Sequence, residues 1–193
     1  MQTPGHNLIY LIGDIMRTFT LNLSLVMLIL ILGCQTMKPI ETVDYVDLNR
    51  FMGDWYVIAN IPTFIETDAY NAVESYRLDK DGTVATTFRF NKGSLNGPVK
   101  EYHPRGFIRD KQSNAVWGMQ FIWPFKAEYR IIYLNDDYSM TVIGRTKRDY
   151  VWIMAREPAI PAEEYTRITK FLKEQGYDID KLQKVPHNRN HSA

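Results

Sequence analysis

The chain has 193 residues with a formal net charge of +1, and 45% of its residues are hydrophobic. Lysine and arginine are scattered rather than clustered, so the sequence offers no basic field for nucleic acid. Cys34 is the single cysteine, so no disulfide within the chain can stabilise the fold. We therefore expect no nucleic-acid partner and a domain that depends on its own core.

An apolar run near the start of the chain has the layout of a secretory signal. Arg17 precedes residues 19–32, which are apolar except for three polar residues. The run is shorter than the roughly 20 residues that a transmembrane helix needs. We predict a signal peptide over residues 1–33, with Met16 as an alternative start because Asp14 interrupts the preceding apolar patch.

The apolar run ends on Ile31-Leu32-Gly33-Cys34, which resembles the lipobox of bacterial lipoproteins. In that motif the cysteine receives a diacylglyceryl group and becomes the new N-terminus. Leu32 is bulkier than the residue usual at its place. The resemblance implies lipid attachment at Cys34, and several acyl chains would hold the protein on a membrane permanently. Gln35, in place of aspartate, implies the outer membrane of a Gram-negative bacterium, on its periplasmic face.

Strand-like runs begin after a lipidated tether, which we predict over residues 34–44 because they have no clear period. Eight runs rich in aromatic and β-branched residues follow, separated by turn sequences such as Asp81-Gly82. They cover residues 55–61, 71–78, 83–91, 99–109, 115–123, 128–134, 139–144 and 150–156. Eight strands at hairpin spacing predict an all-β fold, an antiparallel up-and-down barrel or a sandwich.

Alternation within the runs predicts which side chains face the interior. Trp117, Met119 and Phe121 share one face of the fifth run, and Pro104 and Gly106 leave room opposite them. The predicted ligand-binding set consists of Tyr76, Phe88, Phe90, Trp117, Met119, Phe121, Tyr129, Ile131 and Trp152. An eight-stranded interior holds either packed side chains or one small ligand, and both alternatives remain open here.

Two further residues fall on inward faces. Alternation groups Tyr133 with Tyr129, and it groups Glu74 with Ala72 and Tyr76. An unpaired carboxylate inside a barrel is costly. We therefore expect Glu74 at the wet mouth of the barrel, the alternative being that it pairs with a cationic or hydroxylated ligand group.

A helical period replaces the strand pattern after Pro161 and ends at Gly176. The apolar stripe of this segment consists of Tyr165, Ile168, Phe171 and Leu172. We predict a C-terminal α-helix that packs on the barrel wall, the alternative being a partner surface. Residues 180–185 are expected to add a short closing strand, and residues 187–193 to form a loose tail.

Motifs at both ends of the strand series resemble those of the lipocalin family. Gly53-Asp54-Trp55-Tyr56 resembles its Gly-x-Trp motif, whose tryptophan closes the base of the barrel. Arg156 matches the family's arginine, which lies across that tryptophan in a cation–π contact. The family's middle motif, Thr-Asp-Tyr, is degraded to Leu134-Asn135-Asp136. The resemblance covers residues 45–186 and includes the bacterial lipocalins, outer-membrane lipoproteins related to apolipoprotein D.

The sequence contains few residues that could act as catalytic groups. His103 is the only histidine between the predicted signal and the tail, and the sequence has no nucleophile motif and no metal-spaced ligand set. We expect no catalysis, no cofactor and no metal. The lipocalin resemblance implies binding of fatty acids or lysophospholipids for lipid storage, transport or envelope maintenance, with the membrane reached through acylated Cys34.

A different function stays open on sequence grounds. A filled barrel would make the protein an envelope lipoprotein that acts through protein–protein contacts. Ile58, Ile122 and Val151, which face outward by alternation, would form its interface. A homodimer is a further alternative.

Overall fold

The structure, a computed structural model, describes residues 38–188 of the chain. The predicted signal peptide, the predicted acylation site Cys34 and residues 189–193 lie outside the described range. Among the described residues, no helix is long and apolar enough to cross a membrane.

Residues 38–188 form ten strands, two helices and one 3-10 turn. The strands are β1 (Gly53–Ile61), β2 (Ala69–Leu78), β3 (Thr83–Lys92), β4 (Val99–Tyr102), β5 (Arg105–Ile108), β6 (Val116–Ile122), β7 (Phe125–Leu134), β8 (Met140–Gly144), β9 (Val151–Ala155) and β10 (Gln183–Lys184). The helices are α1 (Leu48–Phe51) and α2 (Ala162–Glu174), and the 3-10 turn covers Ile179–Lys181.

The strands close into a barrel because β9 returns to pair with β1. All pairs are antiparallel. β4 and β5 both pair with β3 and together form the fourth predicted strand, which breaks at His103 and Pro104 because proline has no N–H to donate. The predicted eight-stranded barrel with a C-terminal helix is thereby confirmed.

The end of the chain fills a gap between β1 and β2. β2 pairs with β1 only over residues 53–56, and the predicted closing strand, β10, pairs with Ala59 and Asn60 farther along β1. The segment after β10 continues along β2, because the Pro186 carbonyl accepts a hydrogen bond from the Asn71 N–H at 2.9 Å. The His187 Nε2 lies 2.8 Å from the Val57 carbonyl oxygen. The described part of the predicted loose tail is therefore held against the barrel.

Helix α2 packs on the outer wall, as its stripe predicts. Ile168 and Leu172 are fully buried and belong to a core that lies outside the barrel. Ile58 and Val151 are buried in the same core, so two of the three residues of the hypothetical protein interface are covered. Burial of one such aliphatic side chain contributes about 1.5–3 kcal/mol.

Residues 38–44, the described part of the predicted tether, also lie on the barrel. Ile40 is buried, and its carbonyl accepts from the Arg130 Nε at 2.9 Å. The Lys38 carbonyl accepts from the Arg148 Nη1 at 2.8 Å. The described chain therefore starts beside the loop between β8 and β9.

Candidate functional site

One end of the barrel is closed by Trp55 and Arg156. The guanidinium carbon of Arg156 lies 3.8 Å from the centroid of the Trp55 ring. The Arg156 Nη2 donates to the carbonyls of Arg50, Phe51 and Met52 at 2.8–3.0 Å. The Trp55 Nε1 donates to the Phe51 carbonyl at 2.8 Å. The arginine thus lies across the tryptophan and also holds helix α1 to the first strand.

Three residues of the predicted ligand-binding set belong to this closed end. Tyr76, Trp117 and Ile131 are buried in the inner core and do not line the cavity. Their predicted place along a ligand is wrong. Tyr76 and Trp117 pack against Phe51, a residue of the short helix that no strand pattern reveals, and Ile131 is fully buried in the same core. The Trp117 ring also stacks on Tyr129, with centroids 5.2 Å apart.

The room predicted at Gly106 is occupied. A Cβ on this glycine would lie 3.2 Å from the Val84 Cβ and 3.3 Å from Cε3 of Trp117. Gly106 therefore accommodates the indole of Trp117 and not a ligand. Pro104, the other small inward position, does line the cavity.

Above the packed end lies a cavity of about 290 Å³, near the lower limit for small-molecule sites. Five of the predicted residues line it, namely Phe88, Met119, Phe121, Tyr129 and Trp152. Phe90 lines an adjoining pocket of about 420 Å³, which shares Phe121 and Pro104 with the first. The wall of the main cavity also includes residues that strand alternation does not identify, such as Phe64 and Ile65 from the loop after β1.

The open end of the barrel, which we call the mouth, is formed by residues 62–68, 122–125 and 145–150. Large apolar side chains are exposed to solvent around it. Phe64 is 85% exposed, Ile122 69%, Trp123 82% and Phe125 76%. We call these four residues the rim patch. Phe121, predicted to point inward, is half-exposed beside them because a register shift between Met119 and Ile122 ends the alternation of β6.

Glu66, a buried carboxyl that the strand pattern does not identify, lines the cavity beneath this rim. The Thr63 N–H donates to its Oε1 and the Trp152 Nε1 donates to its Oε2, each at 2.9 Å. Burial raises the pKa of Glu66 despite these hydrogen bonds. Its position in a loop gives no periodic signal from which sequence could have placed it.

Glu74 lies inside the barrel and not at the mouth. It is buried, lines the cavity and accepts a hydrogen bond from the Tyr76 hydroxyl. The Tyr76 and Tyr129 hydroxyl oxygens are 2.8 Å apart, which extends the network. Burial, together with the nearby charge of Glu66, raises the pKa of Glu74 to about 8. The expectation of a wet site is wrong because the carboxyl can take a proton and so avoid the cost of a buried charge.

A cation stands among the cavity-lining residues as well. Arg145 follows β8 and lines the cavity, and its Nη1 lies 3.4 Å from Asp149 Oδ2. Its Nε–H is buried and has no hydrogen-bond partner within residues 38–188. The cavity therefore combines an apolar wall, two buried carboxyls and an arginine beside the mouth loop.

A closed barrel with one sealed end and an apolar cavity that opens at the other end is the arrangement of the barrels that enclose one small ligand. A family model described as a lipocalin-like domain matches residues 46–187. The chain belongs to the lipocalin family, whose members bind small hydrophobic ligands.

Curated relatives share much of the chain. Temperature-induced lipocalin-1 of Arabidopsis thaliana is 30% identical over 161 residues, which cover 77% of this chain and 83% of the relative. Outer membrane lipoprotein Blc of Escherichia coli K12 is 25% identical over 79% of this chain and 88% of its own length. Apolipoprotein D of Bos taurus is 25% identical over 70% and 74%.

Solved structures share the fold. Insecticyanin of the tobacco hornworm Manduca sexta superimposes with a TM-score of 0.61 at 15% identity and covers 77% of this chain and 85% of its own. The cockroach allergen Per a 4 gives a TM-score of 0.60 at 16% identity, with 80% and 97% covered. At these identities the agreement concerns the barrel alone.

Proposed function

We propose that this protein is a membrane-anchored lipocalin that holds one single-chain amphiphile, such as a fatty acid or a lysophospholipid, for lipid storage, transport or envelope maintenance. The observation that carries the proposal is the apolar cavity, sealed below by packed aromatic rings and open at the mouth. The acyl tail would lie along Phe88 and Met119, while the head group stays near Arg145.

Transfer energies make such a complex reasonable. Each buried methylene contributes about 0.8 kcal/mol. Micromolar affinity corresponds to a binding free energy of about 8 kcal/mol. Burial of roughly ten methylenes would supply this free energy, before the entropic and desolvation costs of association are subtracted. The two adjoining pockets at the mouth give a tail more room than the main cavity alone.

The start of the described chain supports a mouth that faces a lipid surface. Lys38 is hydrogen-bonded to Arg148, which belongs to a mouth loop. Cys34 precedes Lys38 by four residues, which span at most about 14 Å when extended. An acylated Cys34 would therefore hold the barrel close to the bilayer. The similarity to outer membrane lipoproteins named Blc supports placing that bilayer in a bacterial envelope, on the periplasmic face of the outer membrane.

The alternative, a filled barrel that works through its outer surface, has less support. Helix α2 covers Ile58 and Val151. Ile122 alone of that set is exposed, and it belongs to the rim of the cavity. The same rim offers an exposed apolar surface to a homodimer.

The binding proposal is tested by two neighbouring substitutions on β6. Met119→Glu places a charge in the cavity, whereas Gln120→Glu places the same charge on the opposite face of the strand. We would titrate dodecanoic acid and a twelve-carbon lysophosphatidylcholine into delipidated protein by calorimetry, with circular dichroism as the check on folding. We expect Met119→Glu to lose affinity by more than about tenfold and Gln120→Glu to bind as the unaltered protein does. Equal affinity in the two variants, or no binding by the unaltered protein, would contradict the proposal.

A further inference from the structure

We propose that Glu66 and Glu74 form a cation subsite inside the cavity that binds the protonated amine of a single-chain amphiphile. The inference rests on the proposed function, because it assigns a class of ligand to the same cavity. Cationic amphiphiles with a primary amine would enter this subsite with the amine first and the tail toward the mouth, the reverse of the orientation proposed for a fatty acid or a lysophospholipid. Fatty-acid carboxylates would be kept away from it.

The protein supplies both carboxyls with hydrogen-bond donors but with no cation. Glu66 accepts from the Thr63 N–H and the Trp152 Nε1, and Glu74 accepts from the Tyr76 hydroxyl. Among residues 38–188, no lysine or arginine forms an ion pair with either carboxyl. Glu66 has no cation of the described chain beside it, and Glu74 avoids the cost of a buried charge by keeping a proton. Both acids line the ligand cavity, so the cation that would pair with them can come with the ligand.

The other ionisable groups that line the cavity leave the subsite free for a cation. Arg145 is paired with Asp149 in the mouth loop. Glu128 on β7 accepts from the Thr146 N–H and hydroxyl at 2.7 and 2.8 Å and from Arg130, so its charge is already compensated.

Two tyrosine hydroxyls extend the hydrogen-bond network from Glu74. Burial, together with the charge of Glu74, raises the pKa of Tyr129 well above its ordinary value. Tyr76 joins Glu74 to Tyr129 through its hydroxyl. Tyr150 lines the cavity from the mouth loop. The Tyr129 phenol therefore contributes a hydrogen bond rather than a charge.

Charge balance predicts a proton exchange upon binding. The empty cavity keeps Glu74 protonated near neutral pH, because burial and Glu66 oppose its ionisation. An ammonium group beside the carboxyl favours the ionised form, so the Glu74 proton passes to solvent as the amine enters. The net charge of the cavity stays the same. Affinity for the amine therefore rises with pH up to about 8, where Glu74 is ionised even without the ligand.

Three probes with one tail length separate the subsite from the tail site: dodecylamine, dodecanol and dodecanoic acid. Calorimetry of the full chain near pH 7.5, in two buffers that differ in ionisation enthalpy, gives affinity and proton release together. We expect dodecylamine to bind on the order of tenfold tighter than dodecanol and to release up to one proton. We expect dodecanoic acid to bind no tighter than dodecanol.

The isosteric variants Glu74→Gln and Glu66→Gln test whether these two carboxyls bind the amine. Glu101→Gln, on the outside of β4, is the control. Glu74→Gln should abolish proton release and reduce amine affinity by about tenfold, while dodecanol affinity stays within about twofold. Glu66→Gln should also weaken amine binding. Dodecanol binding without any preference for the amine, or proton release that persists in Glu74→Gln, overturns the subsite alone. Failure of all three probes to bind overturns the proposed function as well.

Discussion

Arg156 joins three parts of the closed end through one guanidinium. It lies on the Trp55 ring and donates to carbonyls of helix α1, of Met52 and of Asp54. Trp55→Ala should lower the free energy of unfolding by roughly 3–5 kcal/mol as a buried aromatic. Arg156→Ala should cost less, and the double variant should show a coupling energy of about 0.5–2 kcal/mol because the two share one contact. Urea unfolding of the four proteins measures this, and a coupling of zero would contradict the pairing.

Glu74 should make stability depend on pH in a definite direction. Its pKa is raised from 4.5 to about 8 by folding, so the folded chain holds a proton that the unfolded chain loses. This contribution to stability is complete below about pH 4.5 and is lost as pH rises to about 8.

Glu74→Gln should remove this dependence on pH. The variant should match the unaltered protein near pH 4 and exceed it near pH 9 by at most about 4–5 kcal/mol. Chemical denaturation at both values of pH measures the difference. A Glu74→Gln variant whose stability follows the unaltered protein at both values would show that the carboxyl is already ionised in the folded state.

At the scale of elements, strand alternation predicts the barrel but fails at its bulges. A register shift between Ile131 and Tyr133 turns Tyr133 outward, where it contacts Phe171 of α2 with ring centroids 6.0 Å apart. The shift near the end of β6 likewise brings Phe121 to the rim. Each bulge adds one residue that period-two counting cannot foresee, so every later side chain changes face.

Several residues of the site lie in loops or in the four-residue helix, where hydrophobic periodicity cannot predict them. Glu66, Phe64 and Arg145 lie between strands, where neither a period of two nor one of 3.6 applies. The Trp117 ring packs against Phe51 of α1, and it therefore fills the closed end instead of lining the cavity. Strand alternation in the sequence identifies Glu74 as inward-facing. Its burial and its raised pKa depend on the side chains around it in the folded barrel, which alternation does not identify.

The hairpin between β6 and β7 should enter a lipid surface, because the rim patch is apolar and exposed. Replacing Trp123 and Phe125 by serine should reduce binding of the full chain carrying Cys34→Ser to phosphatidylethanolamine–phosphatidylglycerol vesicles by about tenfold or more. Tyr45→Ser, which removes another exposed ring away from the mouth, is the control. Vesicle flotation gives the bound fraction. Equal loss in both variants would show that the rim patch has no special role.

At the scale of the whole molecule, anchor and barrel should be separable. The two core clusters of the described chain consist of residues between Ile40 and Val185, so Cys34→Ser should leave the barrel folded while removing the lipid. Labelling cells with radioactive palmitate and fractionating their membranes should give a labelled, membrane-bound protein for the unaltered chain alone. Circular dichroism controls for folding. Equal label in both proteins would contradict acylation at Cys34.

The most direct test of the carrier function is native mass spectrometry of the protein isolated from its own membranes. The apolar cavity predicts a copurifying single-chain amphiphile at one molecule per chain, identified after extraction by its own mass. Met119→Glu, isolated in the same way, should be largely free of it, whereas Gln120→Glu should retain it. An unaltered protein whose barrel is empty when isolated, and which gains no adduct when amphiphile is added, would contradict the account.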